Sequence, residues 1–234
     1  MSKAAWHLRH LRGLIYAGLF VAIAGIAYTS QSNAPDIPQA WVEARELFGL
    51  WALGLLLAAM LCGPLSFVVP WLPIRGHLML GRRALGVSAA VLATCHVASY
   101  LGPTAWRNWH DLYTPGALWI AGLLLGLPLF AAMATLAWTS RDRAVRQLGP
   151  RRWRRWHRVV YFVLPGVLLH ATFLGADFGV NKGPDVPGQP DAGSLVAMLA
   201  VGGTWLALFV LRRRGVRWTL SRTRPEFPRT RMKP

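Results

Sequence analysis

Two histidines that lie inside apolar segments are the residues of this sequence best placed to do chemistry. His96 stands twelve residues after Ala84 in one such segment, and His170 stands eleven residues after Val159 in another. An ionisable side chain within a membrane-length apolar segment is costly, so it is usually paired, hydrogen-bonded or bound to a metal. The chemistry of the chain is therefore expected at these two imidazoles.

Two buried imidazoles at the same depth could share one metal. Neutral imidazoles from neighbouring helices can ligate a heme iron from both sides, which leaves no open position and favours electron transfer over the binding of oxygen or substrate. The alternative is that His96 and His170 each bond a backbone carbonyl or a nearby hydroxyl, such as that of Thr94, Ser99 or Thr172. The sequence leaves both interpretations open.

A third histidine, His157, follows a dense cluster of arginines and opens the segment that holds His170. Thirteen residues of straight helix, at about 3.6 residues per turn, put His157 and His170 on different faces. Pro165 between them could re-phase the helix. The remaining histidines lie at or beyond segment ends, where solvated roles are expected; they are His7, His10, His77 and His110.

The composition places these histidines in a membrane protein. Of the 234 residues, 54% are hydrophobic and only 15% are charged, which is too little polar surface for an ordinary soluble domain of this length. The formal net charge of +17 could suggest a nucleic-acid partner, but the basic residues stand in short runs between apolar segments. We therefore predict an integral protein in contact with membrane lipid, with no nucleic-acid partner.

Six apolar segments approach the ~20 residues that cross a bilayer. They cover residues 13–28, 47–69, 84–101, 117–138, 159–176 and 195–211. In a bilayer, such segments must form their backbone hydrogen bonds within the protein, and none shows the alternation of apolar and polar residues that a barrel strand has. The predicted fold class is all-α: a polytopic six-helix bundle over 13–211, after an N-terminal segment 1–12 and before a basic tail 212–234. Glycines suited to close helix packing stand at Gly49, Gly54, Gly122 and Gly126.

The basic residues also predict an orientation. Of the 26 Lys and Arg residues, all but three lie in the segments 1–12, 70–83, 139–158 and 212–234. By the positive-inside rule, both termini are cytoplasmic. The arginines before His157 are explained by this topology and by contact with anionic lipid, worth ~1 kcal/mol each near the surface. Some of them could instead hold heme propionates or a flavin phosphate through bidentate contacts.

The sequence has no Walker loop, no dinucleotide-binding glycine fingerprint and no nucleophile elbow. It therefore has no flavin or nicotinamide domain of its own. If the chain does redox chemistry, its electron donor and acceptor must be other molecules.

Two stretches carry a resemblance to a known family. GRRALGVSAAVLATCHVASY, from Gly81 to Tyr100, and WTSRDRAVRQLGPRRWRRWHRVVYFVLPGVLLH, from Trp138 to His170, resemble the ferric reductase-like transmembrane domain family. Within it, they are most similar to the bacterial heme-binding membrane subunit of the periplasmic methionine sulfoxide reductase system. His96, His157 and His170 match the three histidines of the family pattern.

This resemblance implies a b-type heme in a six-helix subunit of the bacterial inner membrane, with no catalytic domain of its own. Electrons would pass from a cytoplasmic flavin reductase or the quinol pool to a periplasmic molybdenum-containing reductase subunit. FMN and quinol are implied as further cofactors. Other acceptors, such as ferric chelates, remain an alternative, as does a small membrane transporter or scaffold without redox activity.

His157 has no obvious partner for a second heme. Relatives that bind two hemes carry a second histidine fourteen residues before the position of His96, and Arg82 stands there in this chain. His157 could ligate a second heme with another residue, line a flavin or quinol site, or bond a heme propionate alongside Arg82, Arg83 and Trp156. These residues are therefore candidate cofactor contacts.

Overall fold

The computed structural model describes residues 3–68, 75–102, 117–174, 199–207, 209–211 and 213–214. Within these ranges the chain is helical and contains no strand, so the all-α prediction is confirmed for them. The helices are α1 (Lys3–Asn33), α2 (Ile37–Val68), α3 (Arg75–Tyr100), α4 (Ala117–Trp138), α5 (Asp142–Trp156), α6 (Val160–Leu174) and α7 (Leu199–Leu211).

The described helices include five that are long and apolar enough to cross a membrane, which makes this a multi-pass membrane protein. These spans are His10–Asn33, Ile37–Phe67, Gly76–Tyr100, Trp119–Trp138 and Asp142–Leu174. The sixth predicted segment contains α7, which is shorter. The count of six spans and the cytoplasmic position of both termini stay predictions. The predicted loop 177–194 lies outside the described ranges, and so do residues 215–234, which make up most of the predicted tail.

The helices begin earlier than the apolar segments indicate. The second and third segments were predicted to start at Leu47 and Ala84, but α2 and α3 start at Ile37 and Arg75. Hydropathy marks only the part of a helix that lies in hydrocarbon, whereas a helix continues through its polar end wherever its backbone bonds can form. The additional turns carry charged residues that bear on the candidate site.

Two apolar clusters hold the bundle together. One joins α2, α3, α4 and α6 through buried residues that include Leu56, Ala89, Met133 and Leu164. The other joins α1, α2 and α3, with Phe48 and Leu92 at its centre. Many large apolar side chains face outward, which suits a lipid surface; they include Phe20, Tyr28 and Phe162, each exposed by more than 70%.

Glycines allow the helices to approach closely at several points. A Cβ atom added at Gly122 would lie 2.5 Å from Leu174 Cγ, and one at Gly166 would lie 2.6 Å from Leu129 Cδ2. Both contacts join α4 to α6, where small residues let membrane helices pack. Among the described residues, no atom lies within 4 Å of a Cβ added at Gly54, so the contacts described there do not require a glycine.

The arginine-rich segment before His157 is a helix rather than a simple connecting loop. It runs over Asp142–Trp156 with a kink at Gly149, whose φ of 72° and ψ of 158° are not helical. Glycine adopts this left-handed φ without steric cost, and Pro150 can open the next helical piece because its fixed φ suits a first turn. A 3-10 turn, His157–Val159, then leads into α6.

Candidate functional site

The structure brings His96 and His170 together. His96 lies near the end of α3 and His170 near the end of α6. Their ring centroids are 6.3 Å apart, and the ring planes are inclined by 82°. We call this arrangement the histidine pair. The similar depth expected from their positions in the two segments is what allows the two rings to meet.

Each imidazole of the histidine pair is anchored to a different helix. Nδ1 of His96 lies 2.8 Å from the carbonyl oxygen of Arg45 in α2, and Nδ1 of His170 lies 2.8 Å from the carbonyl oxygen of Gly122 in α4. A carbonyl oxygen can only accept, so each Nδ1 carries the hydrogen and donates it. In a neutral imidazole, Nε2 then carries the lone pair with which the ring can ligate a metal.

The alternative interpretation, in which each histidine bonds a backbone carbonyl, agrees with the structure at Nδ1 of both rings. The hydroxyls of Thr94 and Thr172, which were candidate partners, donate instead to the carbonyls of Ala90 and Leu168 in their own helices. An Nδ1–H bond to a carbonyl is also what orients a metal-bound histidine and raises the basicity of its other nitrogen. The observed bonds are therefore compatible both with a structural role of the two rings and with metal ligation.

The spacing of the histidine pair suits a metal ion shared between the rings. A bond from an imidazole nitrogen to a transition metal is about 2 Å long, so two imidazoles on opposite sides of one ion have centroids about 6 Å apart. Among the described residues no group of three or more His, Cys, Asp or Glu side chains could hold an ion. A heme would supply the remaining ligands of an iron held by these two imidazoles.

A polar cluster beside the histidine pair was not predicted from the sequence. The side chain of Arg45 is 22% exposed, and its guanidinium carbon lies 5.8 Å from the centroid of the Tyr100 ring. The rings of Tyr100 and Trp119 have centroids 6.2 Å apart. The Tyr100 hydroxyl and Trp119 Nε1 are buried and lie near each other, and neither makes a hydrogen bond of good geometry among the described residues. We call these three residues the donor cluster.

The donor cluster could receive an anionic group. A guanidinium, a phenol and an indole all present N–H or O–H donors, and a buried donor without a partner costs about 1–3 kcal/mol. Glu46 partly balances the charge of Arg45, at 3.9 Å. The sequence did contain a signal for Arg45, because it is an arginine in a segment with few charges. The predicted span began at Leu47, however, and this boundary assigned Arg45 to a loop.

The third candidate, His157, is held at the other end of α6. Its Nδ1 lies 3.1 Å from the carbonyl oxygen of Trp153, and its Nε2 lies 3.1 Å from Ser140 Oγ. Its ring stacks on that of Trp153, with centroids 3.9 Å apart. Both ring nitrogens of His157 thus have partners within the chain.

The other candidate contacts lie at the same end as His157. Arg83 Nη1 is 2.5 Å from Asp142 Oδ1, so an ion pair ties α3 to α5. Arg12 of α1 lies 3.9 Å from the same carboxylate. Arg82 and Arg83 are near enough to act electrostatically on His157, whereas Trp156 is 58% exposed. This end of the bundle, here called the arginine-rich end, is strongly positive.

Comparison with known proteins gives a family match that covers part of the described site. Residues 48–168 match the family described as "Ferric reductase like transmembrane component". This range contains His96 and His157 and ends two residues before His170. The chain is also 30% identical, over 169 residues, to a Caulobacter vibrioides protein named "Protein-methionine-sulfoxide reductase heme-binding subunit MsrQ". That similarity covers 70% of this chain and 76% of the relative.

Proposed function

The chain belongs to the family of ferric reductase like transmembrane components, and on that premise we propose that it is a heme-binding electron-transfer subunit of the bacterial inner membrane. The observation that carries the proposal is the histidine pair, with its centroid distance of 6.3 Å and both Nδ1–H groups bonded to carbonyls. His96 and His170 would be the axial ligands of a b-type heme. Such a heme, when bound, supplies one-electron transfer.

The surrounding residues fit the remaining groups of a heme. Its two propionates are carboxylates, and the donor cluster of Arg45, Tyr100 and Trp119 offers a cation and two buried donors. Hydrogen bonds to a charged acceptor are about twice as strong as neutral ones. A propionate could therefore accept from these donors, and Arg45 would offset its charge.

We place the electron donor at the arginine-rich end. Arg82, Arg83 and Trp156, together with His157, offer cations and an exposed aromatic ring where a flavin phosphate, FMN or a quinol headgroup could bind. The donor would be a cytoplasmic flavin reductase or the quinol pool. A second heme is less well supported at this end, since both nitrogens of His157 already have partners.

We place the electron acceptor at the end of the bundle that holds the histidine pair. The name of the Caulobacter relative supports a methionine sulfoxide reductase as the partner. The acceptor would be a periplasmic molybdenum-containing subunit, so this chain would carry the electrons without performing the final reduction. Burial, axial ligation and nearby charge are the means by which such a chain sets the heme potential.

The visible spectrum of the detergent-purified protein tests the proposal. With heme supplied during expression, the dithionite-reduced protein is expected to show the low-spin spectrum of a b-type heme, at one heme per chain. Pyridine hemochromogen assay gives the stoichiometry, and acid extraction followed by fluorescence gives any flavin. A folded protein without heme would overturn the proposal and favour the transporter or scaffold alternative.

A ferric chelate is a second candidate acceptor, because the description of the family itself names a ferric reductase. The two acceptors are distinguished by mixing the reduced protein with a ferric chelate or with the purified periplasmic reductase and methionine sulfoxide. Heme reoxidation by the chelate at the faster rate would favour ferric reduction as the function.

Replacement of Arg45 by methionine is expected to lower the midpoint potential of the heme. The change removes a positive charge that stabilises the reduced state but retains the backbone carbonyl that anchors His96. A unit charge roughly 8–16 Å from the iron at an effective dielectric constant near 20 is worth about 1–2 kcal/mol, or roughly 40–90 mV for a one-electron couple. Spectroelectrochemical titration measures the shift.

The control for this prediction is Arg213→Met, which removes an exposed arginine two residues after the end of α7 that lies over Phe209. It changes the net charge of the protein by the same amount and should leave the potential within about 10 mV of wild type, since exposed charges are screened. An equal shift in both variants would mean that Arg45 has no specific interaction with the heme.

A further inference from the structure

The two anchors of the histidine pair share one sequence spacing. His96 bonds the carbonyl of Arg45, and Gly49 follows four residues later in α2; His170 bonds the carbonyl of Gly122, and Gly126 follows four residues later in α4. In an α-helix the carbonyl of residue i points toward the N–H of residue i+4. Each glycine therefore stands beside the carbonyl oxygen that an imidazole uses.

The glycines also touch the imidazoles at the bonded atom. A Cβ atom added at Gly49 would lie 3.0 Å from His96 Nδ1, and one added at Gly126 would lie 2.9 Å from His170 Nδ1 and 2.7 Å from its Cε1. Ordinary contacts between heavy atoms without a hydrogen bond are about 3.5–4.0 Å. A side chain at either position would therefore push the ring away from the carbonyl that orients it.

We propose that Gly49 and Gly126 are positioning residues for the two axial imidazoles. Because each glycine lacks a side chain, the carbonyl one turn earlier can accept a second hydrogen bond in addition to the one within its own helix. That second bond comes from a histidine on a neighbouring helix, and it fixes the tautomer and the ring plane of that histidine. This inference rests on the proposed function, because it assigns these glycines their effect on the heme. Helix packing alone would not require the glycine to stand beside the anchoring carbonyl at both sites.

The inclination of 82° between the ring planes follows from these two anchors. Because α2 and α4 supply separate carbonyls, each ring plane is set independently of the other. Nearly perpendicular axial imidazole planes give ferric low-spin heme a strongly anisotropic EPR signal with one large g value, whereas parallel planes give a rhombic signal. The EPR signal therefore reports whether the anchors hold the rings as the structure has them.

The test is the EPR spectrum of the oxidised holoprotein with Gly49→Ala and with Gly126→Ala. Wild type is expected to show the strongly anisotropic signal. In each variant most of that signal should be replaced by a rhombic or high-spin signal, with a change in midpoint potential. The effect should be larger for Gly126→Ala, because its added Cβ lies closer to a ring atom, at 2.7 Å rather than 3.0 Å.

Two alanine variants serve as matched controls. Gly54→Ala changes another glycine of α2, whose added Cβ would have no atom of the described part of the chain within 4 Å. Gly166→Ala creates a clash as severe as that at Gly126, at 2.6 Å, but with the side chain of Leu129 rather than with an imidazole. Both controls should keep the EPR signal and potential of wild type, although Gly166→Ala should lower the thermal stability.

The outcomes separate this inference from the proposed function. If wild type binds heme and both Gly49→Ala and Gly126→Ala retain its EPR signal, the positioning role is wrong and the proposed function stands. The same change of signal in Gly166→Ala would also overturn it, since general packing would then be the cause. A wild type that folds without heme would overturn both. Gly49→Ala, with the milder clash, keeps the test decisive if Gly126→Ala does not fold.

Discussion

Replacement of either His96 or His170 by alanine is expected to remove the b-type heme from the purified protein. The two imidazoles supply the only protein ligands that the described site offers to one iron, and they come from different helices, α3 and α6. A b-type heme is not covalently attached, so its retention depends on these bonds and on burial. Loss of a partner that merely orients a metal ligand already costs 10–100-fold in affinity, and loss of a ligand should cost at least ~10-fold.

The measurement is the heme-to-protein ratio together with the reduced spectrum, after expression with added heme precursor. His77→Ala is the control, because His77 is an exposed residue of α3, the helix that also carries His96. It should retain the wild-type ratio. Full low-spin heme in either His96→Ala or His170→Ala would show that the missing ring is not an axial ligand, and would overturn the assignment of the histidine pair.

The meeting of His96 and His170 could be predicted from the sequence, but the way they are held could not. Their depth follows from counting residues into two segments that run in the same direction. Their anchors are backbone carbonyls of Arg45 and Gly122, and any residue type supplies a carbonyl. Which carbonyl faces a given imidazole depends on how α2 and α4 rotate and pack, and apolar periodicity in lipid-exposed helices contains little of that information.

The polar residues at helix ends were predicted least well. The apolar segments predicted which parts of the chain are helical but placed the start of α2 ten residues too late. For that reason Arg45 was not recognised as a residue of a helix near the site. Tyr100 and Trp119 are ordinary interfacial aromatics by sequence, and only the fold shows that their polar atoms are buried near Arg45. The helix Asp142–Trp156 was missed for a related reason, since its many arginines indicated topology and masked its periodicity.

Replacement of His157 by alanine is expected to separate electron entry from heme binding. His157 lies at the start of α6, where it contacts Ser140 and Trp153, and its nitrogens are both bonded within the chain. The heme bound by the histidine pair should therefore remain, with its spectrum and potential close to wild type. Reduction of that heme by a donor at the arginine-rich end should slow by roughly tenfold or more, as when an orienting residue of a redox site is lost.

Anaerobic stopped-flow reduction of the protein in lipid nanodiscs measures this effect, with reduced flavin or a quinol as donor and dithionite as the reference reductant. Ser140→Ala is the control, because it removes one partner of His157 but keeps the imidazole stacked on Trp153, so it should slow reduction less.

Unchanged rates in His157→Ala would remove His157 from the donor site. If the wild-type protein binds two hemes per chain and the His157→Ala variant binds only one, His157 would instead be assigned to a second heme. Because the carbonyl of Trp153 can only accept from Nδ1, that heme would have to displace the Ser140 hydroxyl from Nε2, and Ser140→Ala should then leave heme binding intact or strengthen it.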